Sequence, residues 1–477
     1  MAIKFGTDGW RGKIAEDFNY ENLRLVSQAI AEYLRAQKGK KVAGLNSIIV
    51  PIGYDNRFMS EDYARQAGNV FSANGLHPII SQTAVPTPVI SYAVSQRKAA
   101  LGIMITASHN PFYFNGLKIK ISSGSSAPET LTKEIENICQ KKISIKNLQR
   151  DLPVEDFARD YLRHSRNYLK KIDYRNLPKK IVVDPLFGSG IGFIEKFFNK
   201  EKKMKIVSIH SHRDPYFGGV NPEPINENLA ELKRVVVREK ASIGIALDGD
   251  ADRIGLVDEK GKFVNSHQIF SLLLLHFIRN YKKSGGIAKT ISGSFLINRI
   301  AEKYRLPLKE TPIGFKYIAE LLEKKEVFMG GEESGGLGLP GHIPERDGVL
   351  SGILILERMS LEKKTLLQLT NELTNEFGPS FYGRVDLKLK KIPDKNYFTE
   401  MLVNFVKQKN IFSDLKEIKN YDGVKFIFKN DSWLLLRPSG TEPILRIYAE
   451  DSTRQGMQKF LALGKKIIYT HFKEDRS

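Results

Sequence analysis

Ser47-Ile-Ile-Val-Pro-Ile-Gly-Tyr-Asp55, followed by a helix-patterned stretch from Tyr63 to Phe71, is the segment from which the fold can be read. A short apolar run closed by a polar residue predicts a buried strand, and the amphipathic spacing behind it predicts a helix returning over that strand. The same plan recurs in Lys180-Ile-Val-Val-Asp184, leading through Gly188 to Phe198, and in Lys289-Thr-Ile-Ser292, leading through Phe295 to Tyr304. Units of this kind pack as α/β layers with parallel pairing. Their recurrence predicts three similar mixed-sheet α/β domains.

Beyond about Phe377 the pattern changes to strand-like runs at Tyr382–Leu389, Val424–Phe428, Trp433–Leu436 and Ile444–Tyr448, with a closing helix from Thr453 to Phe472. Strands in series followed by a helix predict a smaller α+β C-terminal domain. The joints fall in the charged helical stretch Asp151 to Lys180, the turn Asp258-Glu-Lys-Gly261 and Gly378-Pro-Ser380, which gives domains at 1–150, 151–258, 259–377 and 378–477. A chain of 477 residues is too long for a single core, consistent with that division.

The composition, 41% hydrophobic and 27% charged, is that of an ordinary water-soluble protein. Its longest apolar stretch, Ser271-Leu-Leu-Leu-Leu-His-Phe-Ile278, is far shorter than a bilayer span, and Met1 to Arg11 has no signal-peptide apolar region. A cytoplasmic protein without a membrane partner is expected. The lone Cys139 reads as an apolar helix position with no redox role. A net charge of +20 raises the question of nucleic acid, but the lysines are dispersed in small groups such as Lys202-Lys203. The reading is a lysine-rich solvated surface, part of which serves an anionic substrate, with no nucleic-acid partner.

Four polar loops carry the chemistry: Thr106-Ala-Ser-His-Asn-Pro111, Asp248-Gly-Asp-Ala-Asp-Arg253, Gly331-Glu-Glu-Ser-Gly-Gly336 and Arg437-Pro-Ser-Gly-Thr-Glu-Pro443. The first two follow the apolar runs Leu101–Ile105 and Ile243–Leu247, at the strand ends where ligands gather in α/β sheets. Asp248, Asp250 and Asp252 converge three carboxylates on a tight bend before a second strand, Ile254–Val257. Like charges at that density demand a cation, and an all-oxygen donor set favours Mg²⁺ over zinc. A lone Asp-Gly-Asp would more often be an ordinary turn. Ser108 taken by itself is better read as a helix cap or turn residue, and the nucleophile-elbow pattern Gly-x-Ser-x-Gly is absent around it. Arg437, Ser439, Gly440 and Thr441, with Arg446 nearby, supply guanidinium, hydroxyl and backbone donors suited to a phosphate, the alternative being a plain hairpin turn. Glu332, Glu333 and Ser334 between glycine pairs offer acceptors for sugar hydroxyls. The adjoining Gly336-Leu-Gly-Leu-Pro-Gly341 is not a dinucleotide fingerprint, because Pro340 and Pro344 bar a helix from opening there.

With all four loops in this order behind Phe5-Gly-Thr-Asp-Gly-Trp-Arg-Gly12, the chain resembles the α-D-phosphohexomutases, the family of phosphoglucomutases and phosphomannomutases. The resemblance implies four domains around a central cleft, the first three alike. It implies a phosphorylated Ser108, Mg²⁺ bound by Asp248, Asp250, Asp252 and an oxygen of that phosphoserine, and a distal phosphate held by Arg437 to Thr441. Transfer from Ser108 to a sugar hydroxyl would pass through a bound hexose 1,6-bisphosphate, with Arg253 offsetting charge and glucose 1,6-bisphosphate acting as activator. Arg11 and Lys118 are implied near the transferring group, with His109 adjoining it. A lysine acting as base needs a depressed pKa, which a neighbouring arginine would supply.

Two segments bear on the sugar. Thr311-Pro-Ile-Gly-Phe-Lys-Tyr317, containing Lys316, resembles the Gly-Trp-Lys segment of glucose-type members, and Glu332-Glu-Ser334 is also closest to that type. Phe315 in place of Trp, and Gly335-Gly336, depart from it. The expected reaction interconverts glucose 1-phosphate and glucose 6-phosphate, with mannose phosphates as further substrates and phosphomannomutase or phosphoglucosamine mutase as alternatives, in a monomer or homodimer. Outside the family, the rivals are a metal-dependent phosphatase using Asp248 as nucleophile, which leaves Ser108 and the phosphate loop without a task, a silent sugar-phosphate sensor, and a polyanion binder.

Overall fold

The computed structural model describes residues 3–6, 8–41, 48–201, 203–390, 394–409, 411–439 and 443–471. It forms two compact units, Met1–Ser284 with Gly314–Thr370, and Gly285–Ile313 with Asn371–Ser477.

In the first unit the strand Ile49–Tyr54 pairs parallel with His77–Ser81 and with Leu101–Ile105. Phe114–Ile121 then runs antiparallel to Leu101–Ile105, making the sheet mixed. The helix Ser60–Ala73 opens with Glu61 and Asp62 in its first turn, where carboxylates complement the N-terminal dipole. Its Tyr63, Ala64, Ala67, Val70 and Phe71 are buried, the one-face spacing of an amphipathic helix. A second sheet in this unit repeats the plan around Lys180–Asp184, parallel to Lys205–Ser208 and Ile243–Leu247. There Ile243–Leu247 and Ile254–Asp258 are antiparallel, so the loop of Asp248 to Arg253 is the turn of a hairpin closed by the pair Leu247 and Ile254.

The helix expected behind the Gly188 loop and running to Phe198 is short, Phe193–Phe197, and is preceded by Gly192 at φ 77°. A left-handed backbone there ends the preceding loop and delays helix entry. The apolar run Ser271–Ile278 lies inside the helix Ser266–Arg279, which opens with a capping box between Asn265 and Gln268 and is buried on nearly every side. No helix among the described residues is long and apolar enough to cross a membrane. Cys139 ends the helix Glu129–Cys139 half-buried against the core, its thiol pushed up to about 11, first by burial and then by Glu136. Also in this unit are the antiparallel strands Met329–Gly331 and Leu337–Gly338 and the helix Gly348–Glu362, capped by Asp347 accepting from the Leu350 N–H at 2.8 Å.

The second unit contains Ile287–Thr290 parallel to Leu308–Thr311, with the helix Phe295–Lys303 between them in sequence. Its larger sheet is wholly antiparallel, in the order Phe381–Lys388, Ile444–Asp451, Trp433–Pro438, Val424–Phe428, Leu415–Lys419. Helix Lys395–Lys409 contributes Phe398, Leu402 and Val406 to the core of this sheet, and Arg454–His471 contributes Ile467 and Ile468. The fold is thus three α/β layers followed by a smaller α+β domain. The helix Lys395–Lys409 and the edge strand Leu415–Lys419 are additions to the sequence reading.

Candidate active site

Leu101–Ile105 ends in the core and delivers Thr106 to Asn110 as a loop, in which Ser108 has φ 54°. A serine in the left-handed region is strained, and such strain is held only where neighbours over-determine it. The Ser108 N–H donates to Thr106 Oγ1 at 2.8 Å, and its Oγ donates to Asp248 Oδ2 at 3.0 Å. The first and second polar loops of the sequence therefore meet. Gly249 is required at this meeting, since a Cβ there would stand 2.3 Å from the Ser108 carbonyl oxygen.

Asp248, Asp250 and Asp252 are buried, and one oxygen from each lies within 4.8 Å of the others. Their outward sides are satisfied. Asp248 Oδ1 accepts the Arg253 N–H at 3.0 Å, and Asp250 Oδ2 accepts Thr87 Oγ1 at 2.5 Å and Lys118 Nζ at 2.7 Å. Asp252 Oδ2 lies 3.0 Å from Lys118 Nζ and 2.9 Å from Arg346. By contrast, Asp250 Oδ1 and Asp252 Oδ1 are buried with no hydrogen-bond partner among the described residues. Two orphaned carboxylate oxygens beside Asp248 form an all-oxygen donor set that fits a hard divalent cation such as Mg²⁺. Burial, then Asp252 and Asp250, hold the Asp248 carboxyl well above its ordinary range. For Asp250 burial acts in the same direction and is the largest single effect, but the charge and hydrogen bond of Lys118, the Thr87 hydroxyl and Arg346 together outweigh it and the net shift is downward.

Lys118 sits between Asp250, Asp252 and Asp8, the last at 2.8 Å. Burial disfavours its charge, yet the three carboxylates prevail and raise its pKa above the ordinary lysine value. The depressed pKa expected of a base is absent, because carboxylates rather than an arginine dominate its surroundings. His109 differs: burial first, then Arg253, Arg11, Lys118 and Arg57, push it well below the ordinary histidine value, and its Nδ1 has no partner among the described residues. Arg11, on the strand Gly9–Lys13, donates to Asn110 Oδ1 at 2.5 Å. Arg253 donates to Glu223 at 3.2 Å, with its Nε 3.8 Å from Asp252 Oδ1. Ser108, His109, Lys118, Arg11 and Arg253 thus converge on the aspartate loop.

Glu332 is buried at the end of Met329–Gly331, its Oε1 3.2 Å from the Gly314 N–H and its Oε2 4.0 Å from Arg346. Burial lifts its pKa to about 7 against the pull of Arg346. Gly335 follows at φ 96°, with a virtual Cβ 2.8 Å from the Ile254 carbonyl oxygen, so the turn through Ser334 requires glycine at that position. Lys316, at the start of the helix Phe315–Glu323, is paired with Glu129 at 2.8 Å.

In the second unit, Arg437 Nε donates to Asp422 Oδ1 at 2.9 Å, and Asp422 Oδ2 accepts the Ile313 N–H at 2.8 Å. Arg446 stands opposite both Arg437 and Asp386 in the sheet, with its Nε 3.6 Å from Asp386 Oδ2. The Ser439 N–H donates to the Ile444 carbonyl at 2.8 Å, closing the hairpin. Gly440 and Thr441 lie outside the described residues.

Several residues in this arrangement had no motif to announce them. Asp8 lies inside the quoted N-terminal stretch and joins Lys118, Lys120 and Arg346. Arg346 contacts Asp8, Asp252 and Glu345, and Glu345 in turn pairs with the buried Lys120. Arg57 shortly precedes the helix Ser60–Ala73 and Thr87 is the first residue of the helix Thr87–Arg97, so both read in sequence as helix-entry residues.

The sequence matches the descriptions phosphoglucomutase/phosphomannomutase alpha/beta/alpha domain I over residues 2–146, domain II over 159–261, domain III over 265–377, and C-terminal domain over 400–462. Among curated relatives it is 31% identical to a "probable phosphoglucosamine mutase" of Methanosphaera stadtmanae, across 97% of this chain and 98% of that one. It is 30% identical to a phosphoglucomutase/phosphomannomutase of Thermococcus kodakarensis, across 98% and 99%. A crystal structure from Thermus thermophilus that carries the assignment phosphomannomutase superposes with a TM-score of 0.85 at 30% identity, covering 98% of this chain and 99% of that one. With relatives matched from end to end and all four constituent domains found in order, this chain belongs to the phosphoglucomutase/phosphomannomutase family of α-D-phosphohexomutases and is an intramolecular phosphotransferase.

Proposed function

We propose that the enzyme interconverts glucose 1-phosphate and glucose 6-phosphate, with mannose phosphates as further substrates, by way of a phosphoryl group carried on Ser108. The observation that carries this reading is the 3.0 Å hydrogen bond from Ser108 Oγ to Asp248, beside two carboxylate oxygens with no hydrogen-bond partner among the described residues. A hydroxyl built only to cap a turn needs no such surroundings.

Asp248, Asp250, Asp252 and an oxygen of the phosphoserine would hold Mg²⁺, which when bound supplies a Lewis acid that offsets charge on the transferring phosphoryl group. The protein's own cations do the rest of the electrostatic work. Arg253 and Arg11 converge beside Ser108, and Lys118, kept protonated by its three carboxylates, adds fixed positive charge. In the forward step the bond between Ser108 Oγ and phosphorus breaks as a bond from phosphorus to the free sugar hydroxyl forms. The hydroxyl proton needs an acceptor; Lys118 has none to offer, and neutral His109 has an unpartnered ring nitrogen adjoining Ser108. The resulting glucose 1,6-bisphosphate returns its other phosphate to Ser108, which restores the phosphoenzyme and explains the expected activation by added bisphosphate. Glu332 and Ser334 read the sugar hydroxyls with Lys316, and Arg437, Ser439, Gly440, Thr441 and Arg446 bind whichever phosphate is not being transferred, the bisphosphate turning over between the two transfers.

A second reading, glucosamine phosphate as substrate, is favoured by the name of the Methanosphaera stadtmanae relative. Supplying glucose 1-phosphate with a trace of glucose 1,6-bisphosphate tests the first reading: glucose 6-phosphate is expected, and free phosphate in its place overturns it. Comparing kcat/KM on glucose, mannose and glucosamine 1-phosphates ranks the sugars. Intact mass should show an added phosphate of about 80 Da that Ser108→Ala abolishes.

A further inference from the structure

Asp55, Asn56 and Arg57 follow the strand Ile49–Tyr54, and no step above uses them. Arg57 is fully buried. Its Nε donates to Asp55 Oδ2 at 3.1 Å, its Nη1 to the carbonyls of Pro111 at 2.8 Å and Phe114 at 3.0 Å, and its Nη2 to those of Ser108 at 2.5 Å and Asn110 at 2.7 Å. A guanidinium has five N–H donors, so all are committed, four of them to the backbone of one loop. Asp55 completes the grip: it accepts Thr106 Oγ1 at 2.6 Å, and that hydroxyl accepts the Ser108 N–H at 2.8 Å. Both main-chain polar groups of Ser108 are therefore fixed by the pair Asp55 and Arg57.

Asn56 reaches the other way. Its Nδ2 donates to the carbonyls of Phe187 at 3.0 Å and Gly188 at 2.8 Å. Gly188 packs on the aspartate loop so closely that a Cβ on it would lie 2.7 Å from the Gly249 carbonyl oxygen. Phe217 lies under the Arg57 guanidinium, with ring centroid 4.8 Å from Cζ, and the segment it belongs to continues to Pro222, whose carbonyl accepts the Gly249 N–H at 3.1 Å. One tripeptide thus holds the serine loop with one side chain and the support of the aspartate loop with the next.

We propose that Asp55-Asn56-Arg57 is a positioning element for phosphoryl transfer, with Arg57 its principal residue, setting Ser108 Oγ against the aspartate loop. This rests on the reading of Ser108 as phosphoryl carrier. Lysine at position 57 keeps the charge beside Asp55 but lacks the planar five-donor fork, so the loop loses part of its anchorage while the ion pair survives. A small displacement of a reacting atom costs on the order of 100-fold in rate without weakening ground-state binding.

The test uses the full-length enzyme with Mg²⁺ and saturating glucose 1,6-bisphosphate. Arg57→Lys is expected to lower kcat by roughly 10- to 100-fold, with KM within about twofold. Amide exchange across Ser108–Phe114 is expected to quicken. In Arg57→Ala, methylguanidinium but not methylammonium should restore part of kcat, and Asn56→Ala, a milder change, should lower kcat alone. Full kcat in Arg57→Lys overturns the proposal. So does a loss confined to KM, or a loss in every variant that tracks thermal stability with no chemical rescue. Ser108→Ala run in parallel separates the two readings: an active Ser108→Ala enzyme removes the carrier and this proposal with it, whereas an inactive one beside a fully active Arg57→Lys removes this proposal only.

Discussion

Lys118 Nζ lies 2.7 Å from Asp250 Oδ2 and 3.0 Å from Asp252 Oδ2, while the Oδ1 atoms of the same two carboxylates have no hydrogen-bond partner among the described residues. The ammonium therefore compensates part of the cluster's charge through the Oδ2 atoms and leaves the Oδ1 atoms to a cation. Removing it by Lys118→Met takes from buried Asp250 its ion-pair partner and leaves Asp252 and Asp8 with Arg346 as their nearest cation, a change that costs about 3–5 kcal/mol. Thermal unfolding in a chelator should show a large drop for this variant. Added Mg²⁺ should recover a greater share of stability in it than in the wild type, and equal unfolding midpoints of the two proteins in chelator would count against this account.

Thr87 holds Asp250, one of the proposed cation ligands, by two contacts, from Oγ1 to Asp250 Oδ2 at 2.5 Å and from its N–H to the Asp250 carbonyl at 2.9 Å. Outer contacts of this kind orient a metal ligand and are worth on the order of 10- to 100-fold in affinity. Thr87→Val preserves shape and removes the hydroxyl. Calorimetric titration of Mg²⁺ should show weaker binding by about that factor, with the fold intact by circular dichroism. An unchanged dissociation constant would mean that Lys118 alone orients Asp250.

These contacts mark the limit of what the sequence made legible. Leu101–Ile105, Lys180–Asp184, Ile243–Leu247 and Val424–Phe428 lie where the apolar runs put them, since a buried strand bounded by polar residues leaves a local signature. The edge strand Leu415–Lys419 alternates too weakly to show one, because an edge strand buries little. Arg346 contacts Asp8, which is 338 positions away in the chain, and nothing near Arg346 in sequence reports such a partner. The direction of the Lys118 shift, which bears on whether it can act as a base, was not legible for the same reason. It depends on Asp8, Asp250 and Asp252 together, and only the fold assembles them.

Glu332 provides a pH dependence with a definite sign. Its carboxyl is raised to about 7 in the folded protein, primarily by burial, above the ordinary value of 4.5. A carboxyl shifted in this direction stabilises the fold fully below pH 4.5, and that contribution is lost as pH rises through 7. The total is about 3 kcal/mol, by the conversion of about 1.4 kcal/mol per pKa unit. Glu332→Gln should therefore gain stability relative to wild type as pH is raised from 5 to 8, as measured by chemical denaturation across that range. Sugar binding should run the opposite way in the wild type: the ionised carboxylate is the better hydroxyl acceptor, so KM should fall as pH passes 7 and stay flat in the Gln variant.

Arg437 tests the phosphate loop. Its Nε is committed to Asp422 at 2.9 Å, so in the proposed role its Nη groups would bind phosphate while the head is held in place. In each half-reaction the phosphate held there would not be the one transferred, so its contact contributes to ground and transition states alike, and losing it should raise KM far more than it lowers kcat. A charge-assisted hydrogen bond is worth about 1.5–3 kcal/mol, so Arg437→Ala should raise KM for glucose 1-phosphate by roughly 10- to 150-fold. Asp422→Asn keeps the guanidinium but loosens it, and a smaller rise is expected. Arsenate or inorganic phosphate inhibition should weaken in parallel with KM in both variants. A fall in kcat at unchanged KM would instead make Arg437 a participant in phosphoryl transfer.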